Sequence, residues 1–238
     1  MKYGKGHNRI LRSDAGTTLI EMVVAFALLG IFLVAASSII STITGMFYHI
    51  KAETYSKQVS DIVLEKVSSE IEGAVWEDGS GDNLKILASE DIDEAKASAS
   101  DADALEDEDQ GECVVLFDKT DTKIMMYAEE GRLIVHYFDI SRGSEHYNAT
   151  DWTFSDSVYN DYSVKDLVFV HGDGEKLEDF LDTKITVNGK ETTQGELYGL
   201  ATTAEYGSDV VVVFLHIKSE RYGDYYTYRF VRMYNVRD

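Results

Sequence analysis

The chain has 238 residues, of which 44% are apolar, 11% aromatic and 27% charged, enough apolar material to bury a core in one or two domains. Forty-three acidic against 22 basic residues give a formal charge of −21, which repels phosphate backbones and argues against nucleic-acid binding. The single cysteine, Cys113, excludes an intrachain disulfide scaffold, and the absence of proline excludes proline-rich linkers and cis-proline turns.

Residues 1–16 read MKYGKGHNRILRSDAG and carry Lys2, Lys5, Arg9 and Arg12 against one acid, Asp14. From Met22 to Ile40 there follow 19 residues without a charge, roughly 28 Å of helix at the α-helical rise and close to the hydrocarbon thickness of a bilayer. Because the flanking bases precede this stretch, the N-terminus is expected in the cytoplasm and the rest of the chain outside. A secretory signal has a shorter apolar run followed by an A-x-A-like cleavage site. Here the small residues Val34-Ala35-Ala36-Ser37 flow into further apolar sequence.

Glu21 stands at the start of the apolar stretch. A carboxylate at the edge of a membrane helix costs up to a few kcal/mol unless it is paired, so a partner is expected. Gly16 is a small residue at which a leader can be removed with the apolar helix left intact. Cleavage there makes Thr17 a new N-terminus, whose ammonium is a natural counter-ion for Glu21 of a neighbouring copy.

The segment Gly16-Thr17-Thr18-Leu19-Ile20-Glu21-Met22 resembles the class III signal of type IV prepilins and pseudopilins. In that signal a glycine precedes an aliphatic stretch with glutamate at the fifth position. The resemblance covers roughly residues 5–50. Thr17 replaces the family's usual phenylalanine, Ser13-Asp14-Ala15 lacks an adjacent base, and no proline kinks the helix. The resemblance implies cleavage after Gly16 by a membrane-embedded prepilin peptidase, N-methylation of Thr17, and alignment of Glu21 with the amine of a neighbouring subunit. It implies a filament subunit and not an enzyme, with other pilin or pseudopilin subunits and, before assembly, membrane lipid as partners. Leader removal leaves 18 bases and 42 acids, a charge of −24.

Beyond the apolar stretch, Tyr55, Val59, Ile62, Val63, Val67, Ile71 and Val75 recur at helical spacing, so one helix is expected from about Thr17 to Ala74. Its parts are a membrane or filament-core half over 17–50 and an amphipathic continuation over 51–76. Residues 77–112 hold 14 acids and two lysines and are expected to form a mobile, solvated acidic loop. Within it, Asp78, Ser80, Asp82 and Asn83 offer oxygen ligands, making Asp78 and Asp82 weak calcium candidates, but the glutamate of an EF-hand loop is missing. No cofactor other than calcium is suggested.

Residues 113–238 are expected to be β-rich. Runs over Cys113–Phe117, Lys123–Ala128 and Arg132–Phe138 read as an antiparallel meander, followed by Asp166–Val170. Lys184–Val187 and Lys190–Thr193 flank Asn188-Gly189, a hairpin turn signal. Asp209–Ile217 and Tyr225–Tyr234 form a final pair joined through Gly223-Asp224. The expected fold is α+β, a long N-terminal helix packed on an antiparallel sheet, pilin-like, with the extent of a larger minor pilin or pseudopilin.

Catalytic chemistry is thin. His7, His49, His136, His146, His171 and His216 show no metal-ligand spacing, and no nucleophile-elbow, zinc-protease or phosphate-loop motif occurs. Cys113 reads as a small buried hydrophobe, and Tyr222, Tyr225, Tyr226, Tyr228 and Tyr234 as strand residues or a partner surface. A membrane-anchored sensor or binding ectodomain and an anchored exterior enzyme are the rival classes. Type IV pilus, type II secretion pseudopilus and competence pseudopilus are not separated by sequence.

Overall fold

The computed structural model describes residues 18–76, 84–97, 107–118, 122–139, 148–187, 189–200, 206–207 and 209–236. The first element is α1, Leu19–Gly73, an unbroken helix of 55 residues. No proline interrupts it, and just past Gly73 the Ala74 N–H turns back to the Ile71 carbonyl at 3.1 Å, a tightened last turn. The chain divides into two compact units, Met1–Ile50 and Lys51–Asp238. The described part of the first unit is helix preceded by Thr18.

In the second unit α1 buries Ser56, Val59, Ser60, Val63, Leu64, Val67, Ser68 and Ile71, the three- and four-residue recurrence of one helix face. After it come β1 (Val75–Trp76), β2 (Leu84–Leu87), a short 3-10 turn (Ser89–Asp91), α2 (Ile92–Ala97), β3 (Gln110–Gly111), β4 (Cys113–Phe117), β5 (Lys123–Glu129), β6 (Arg132–Asp139) and β7 (Asn148–Trp152). Then follow α3 (Asp156–Tyr159), β8 (Ser163–His171), α4 (Gly174–Asp182), β9 (Lys184–Val187), β10 (Lys190–Thr193), α5 (Gln194–Tyr198), β11 (Val210–Ser219), β12 (Gly223–Arg232) and β13 (Asn235–Val236).

Strands β2-β4-β5-β6-β7 form a five-stranded antiparallel sheet, and β12-β11-β8-β3 a four-stranded one. A separate hairpin pairs β9 with β10, and β1 pairs with β13 in parallel. One face of each sheet shares a core with α1: Val63, Val67 and Ile71 meet Val114 and Leu116 of β4 and Val213 and Leu215 of β11. The opposite faces are covered too. Cys113, Val115 and Met125 pack with Ala95 of α2, while Val212 and Phe214 pack with Leu177 and Phe180 of α4 and Tyr198 of α5. Burial on both faces explains why β4 and β11 read as continuous apolar runs instead of alternating. The fold is α+β and pilin-like: a long N-terminal helix followed by antiparallel sheets.

Polar ties flank the apolar stripe of α1. Lys66 Nζ donates to Glu70 and, at 2.8 Å, to the Tyr137 hydroxyl, and stands 4.5 Å over the Trp152 ring. Burial pulls the Lys66 ammonium down, but Glu70 and Tyr137 more than offset it, so its pKa is raised. Arg229 reaches Glu65 at 2.9 Å and Asp61 at 3.9 Å.

Several expectations need correction. The acidic segment 77–112 is not a wholly solvated loop: it contains β2, α2 and β3, with Ile86 and Leu87 fully buried. Its apolar run Leu84-Lys85-Ile86-Leu87 pairs with β4, and Asp107 accepts the Ile86 N–H at 2.8 Å. Gly223-Asp224 does not form the last hairpin turn but opens β12. The turn is pinned by Ser219 Oγ, which accepts the N–H groups of Arg221 and Tyr222 at 3.2 and 3.3 Å. The short helices α3, α4 and α5 also interrupt a region read as strands alone.

Candidate functional site

Thr18 precedes α1 and closes a reciprocal capping box with Glu21. The Thr18 N–H donates to Glu21 Oε2 at 2.7 Å, the Glu21 N–H donates to Thr18 Oγ1 at 3.3 Å, and the Met22 N–H donates to the Thr18 carbonyl at 3.2 Å. Such a box satisfies orphan donors at the helix start and is worth about 0.5–2 kcal/mol. A carboxylate in the first turn also meets the positive end of the helix dipole. Glu21 thus has a partner within its own chain. The T-x-x-E spacing of Thr18 and Glu21 is the sequence signal of this box.

Downstream of Glu21 the helix has the length and composition to cross a membrane, and no residue of its most apolar window is buried. Apart from Ile62 and Tyr234, every exposed large apolar side chain among the described residues lies between Leu19 and Ile50. Phe26, Ile31, Phe32 and Val34 are 65–73% exposed. An apolar surface this continuous requires lipid or like helices around it. The hydroxyl of Thr42 donates to the Ser38 carbonyl at 3.0 Å, so it adds no unsatisfied donor in an apolar setting.

Gly16 and Thr17, the expected cleavage and methylation positions, lie outside the described residues, as do His7, His146 and the calcium candidates Asp78 and Asp82. Among the described residues no group of three or more His, Cys, Asp or Glu side chains is placed to hold a metal. Cys113 is fully buried, and burial pushes its thiol up to about 12, against the opposing pull of Lys123 and Lys96. His136 Nδ1 meets Asp151, His171 Nε2 lies 3.1 Å from Asp107, and His216 bridges two aspartates. Tyr222 and Tyr225 pack against the core shared with α1, Tyr226 and Tyr228 against the α4–α5 side, and Tyr234 stays 68% exposed. A cavity of about 350 Å³ between α4 and α5 is lined by Glu178, Asp182, Thr193 and Glu196. Glu196 there accepts the Thr192 hydroxyl at 2.7 Å and belongs to the cap that starts α5.

No curated protein and no solved structure matches the chain. Residues 11–37 match the family model described as the prokaryotic N-terminal methylation motif, so the chain carries the class III signal of type IV pilin and pseudopilin precursors.

Proposed function

We propose that this chain is a non-enzymatic filament subunit, a minor pilin or minor pseudopilin of a type IV pilus, secretion pseudopilus or competence pseudopilus. Prepilin peptidase cuts between Gly16 and Thr17 and methylates the Thr17 amine. The apolar helix first resides in the cytoplasmic membrane, with the N-terminus inside and the second unit outside. It then packs among equivalent helices of other subunits. The observation that carries this reading is the coincidence of the methylation motif over residues 11–37 with a helix whose exposed apolar side chains run from Leu19 to Ile50. Because lipid is as apolar as the partner helices, close packing among like helices and the pairing of Glu21, not transfer out of water, supply the driving term.

In this reading Glu21 has successive partners: the Thr18 N–H in the isolated chain, and the Thr17 ammonium of a neighbour on assembly. Three variants separate the two. Glu21→Ala removes both the cap and the charge, whereas Glu21→Gln keeps an N3 cap without the charge. Thr18→Ala removes the hydroxyl half of the box and keeps the charge. Co-expressed with prepilin peptidase and the filament machinery, both Glu21 variants are expected to be cleaved yet to incorporate poorly, and Thr18→Ala to incorporate better than either. Normal incorporation of Glu21→Gln would defeat the charge-pairing role.

A further inference from the structure

His216 lies along β11 with its side chain only 12% exposed. Its Nδ1 is 2.6 Å from Asp166 Oδ2 of β8, and its Nε2 is 3.0 Å from Asp224 Oδ1 of β12. The ring stacks on Tyr226 at 4.2 Å between centroids and 16° between planes. A neutral imidazole has one N–H; its other nitrogen is an acceptor and would face a carboxylate oxygen lone pair to lone pair. Carboxylates on both nitrogens therefore call for two N–H donors, the imidazolium. Among the described histidines this arrangement belongs to His216. His136 meets Asp151 through Nδ1 while its Nε2 is buried without a partner, and His171 meets Asp107 through Nε2. The register beside His216 is specialised: His216 pairs with Asp166 and Ile217 with Val164, so Lys165 is an extra residue on β8. Bulges of this kind re-aim neighbouring side chains.

We propose that His216 is a standing imidazolium that laces β8, β11 and β12 together, and that loss of its proton unfastens the tip of the β11–β12 hairpin from α1. Asp224 follows Tyr222 by two residues, and Tyr222 is the tip's contact. It stacks on Tyr162 at 6.0 Å and meets Tyr55 of α1 edge-on at 6.4 Å, while the Tyr162 hydroxyl donates to the Ala52 carbonyl at 3.0 Å. With one proton left on the ring, the shorter bond to Asp166 keeps it. Asp224 then loses its donor, and Lys218 Nζ is 3.9 Å away. The groups facing the ring are Asp166 from β8, Asp224 and Tyr226 from β12, Lys218 from its own strand and, through its contact with Tyr226 at 5.5 Å, Tyr198 from α5.

The direction of titration agrees. Burial lowers the proton affinity of His216, but the hydrogen bonds and charges of Asp166 and Asp224 more than offset it, so the folded pKa is raised. A raised histidine stabilises fully below the unfolded value of about 6.5 and loses that contribution as pH climbs through the folded value. The clasp therefore opens on the alkaline side, whether or not the chain assembles into a filament.

The test uses the full chain in lipid nanodiscs with ¹⁵N-labelled histidine rings, His216 being assigned through His216→Gln. Long-range ¹H–¹⁵N spectra are expected to show both His216 nitrogens still protonated at a pH where an ordinary exposed histidine has lost its proton. Amide hydrogen exchange around Tyr222 and Asp224, corrected for its intrinsic pH dependence, is expected to lose about tenfold protection across the same titration, the worth of one charge-assisted hydrogen bond. Asp224→Asn, which keeps the side-chain volume, should move the ring titration downward and take the protection step with it. A His216 ring that loses its proton at or below the ordinary histidine pKa would overturn the proposal, as would tip protection indifferent to the ring's titration. Both readouts are made on the wild-type chain, so an unfolded variant does not shield the idea.

Discussion

Substituting Gly111 by alanine tests the junction between the two sheets. The chain leaves the four-stranded sheet at β3 and enters the five-stranded sheet at β4, with Gly111 paired to Phe169. A Cβ at Gly111 would stand 2.1 Å from the Leu87 carbonyl oxygen, 2.6 Å from its carbon and 2.9 Å from Ile86 Cγ2. Favourable contacts between carbons lie near 3.5 Å, so the backbone of β2 has to retreat by more than about 1 Å. It has nowhere to go: all four residues of β2 are buried and paired with β4, and the Ile86 carbonyl accepts the Glu108 N–H at 2.9 Å. Overpacking costs about 1–3 kcal/mol where side chains can adjust; opposed by backbone, the cost should sit at the upper end, about 3 kcal/mol. For a unit of this size each kcal/mol moves Tm by about 2–4 °C, giving a drop of roughly 6–12 °C. Thermal unfolding of the full chain in detergent, followed by near-ultraviolet circular dichroism, measures it. Gly73→Ala is the contrast, because a Cβ there meets nothing within 4 Å; it should be neutral or slightly stabilising. A Gly111→Ala protein melting within about 2 °C of the wild type would refute the close approach of β3 to β2.

Ile71 is fully buried on α1, so Ile71→Ala should cost about 2–5 kcal/mol in urea unfolding; a change under about 1 kcal/mol would mean that this helix face is not the core. Cys113, buried and with its thiol pushed up to about 12, should resist a maleimide at neutral pH until denaturant is added. Stoichiometric labelling of the folded chain would contradict its place in β4.

The long helix was legible because two signals joined without a breaker: an uncharged run from Met22 to Ile40, and apolar spacing from Tyr55 to Ile71. The buried set also contains Ser56, Ser60 and Ser68, which no hydropathy pattern assigns to a core. The hydroxyls of Ser60 and Ser68 have no protein partner, so their small size, letting the sheets approach, is what they contribute there. Strands such as β4 and β9 followed from β-branched runs, and the β9–β10 hairpin from Asn188-Gly189. β2 was hidden because its four residues sit in acidic sequence that dominates any window. Asn148-Ala-Thr-Asp-Trp152 has no alternation to announce β7, and α3 to α5 are too short for a 3.6-residue period to be separated from strand patterns. Within the candidate site the glycine, the glutamate and the apolar length are readable, while the capping role of Thr18 depends on the helix starting at Leu19, a boundary that spacing alone leaves open. The aspartates around His216 left no trace in spacing. Asp166 is 50 residues away, and strand register alone brings the two together.

Processing at the N-terminus is the central claim, and it reduces to one mass. The full chain is co-expressed with a prepilin peptidase, and the mature N-terminus is read by mass spectrometry. The account predicts a chain that lacks residues 1–16 and begins at an N-methylated Thr17. An intact Met1, or a cut after the apolar run near Ala36, would contradict it and return the chain to an ordinary anchored or secreted protein.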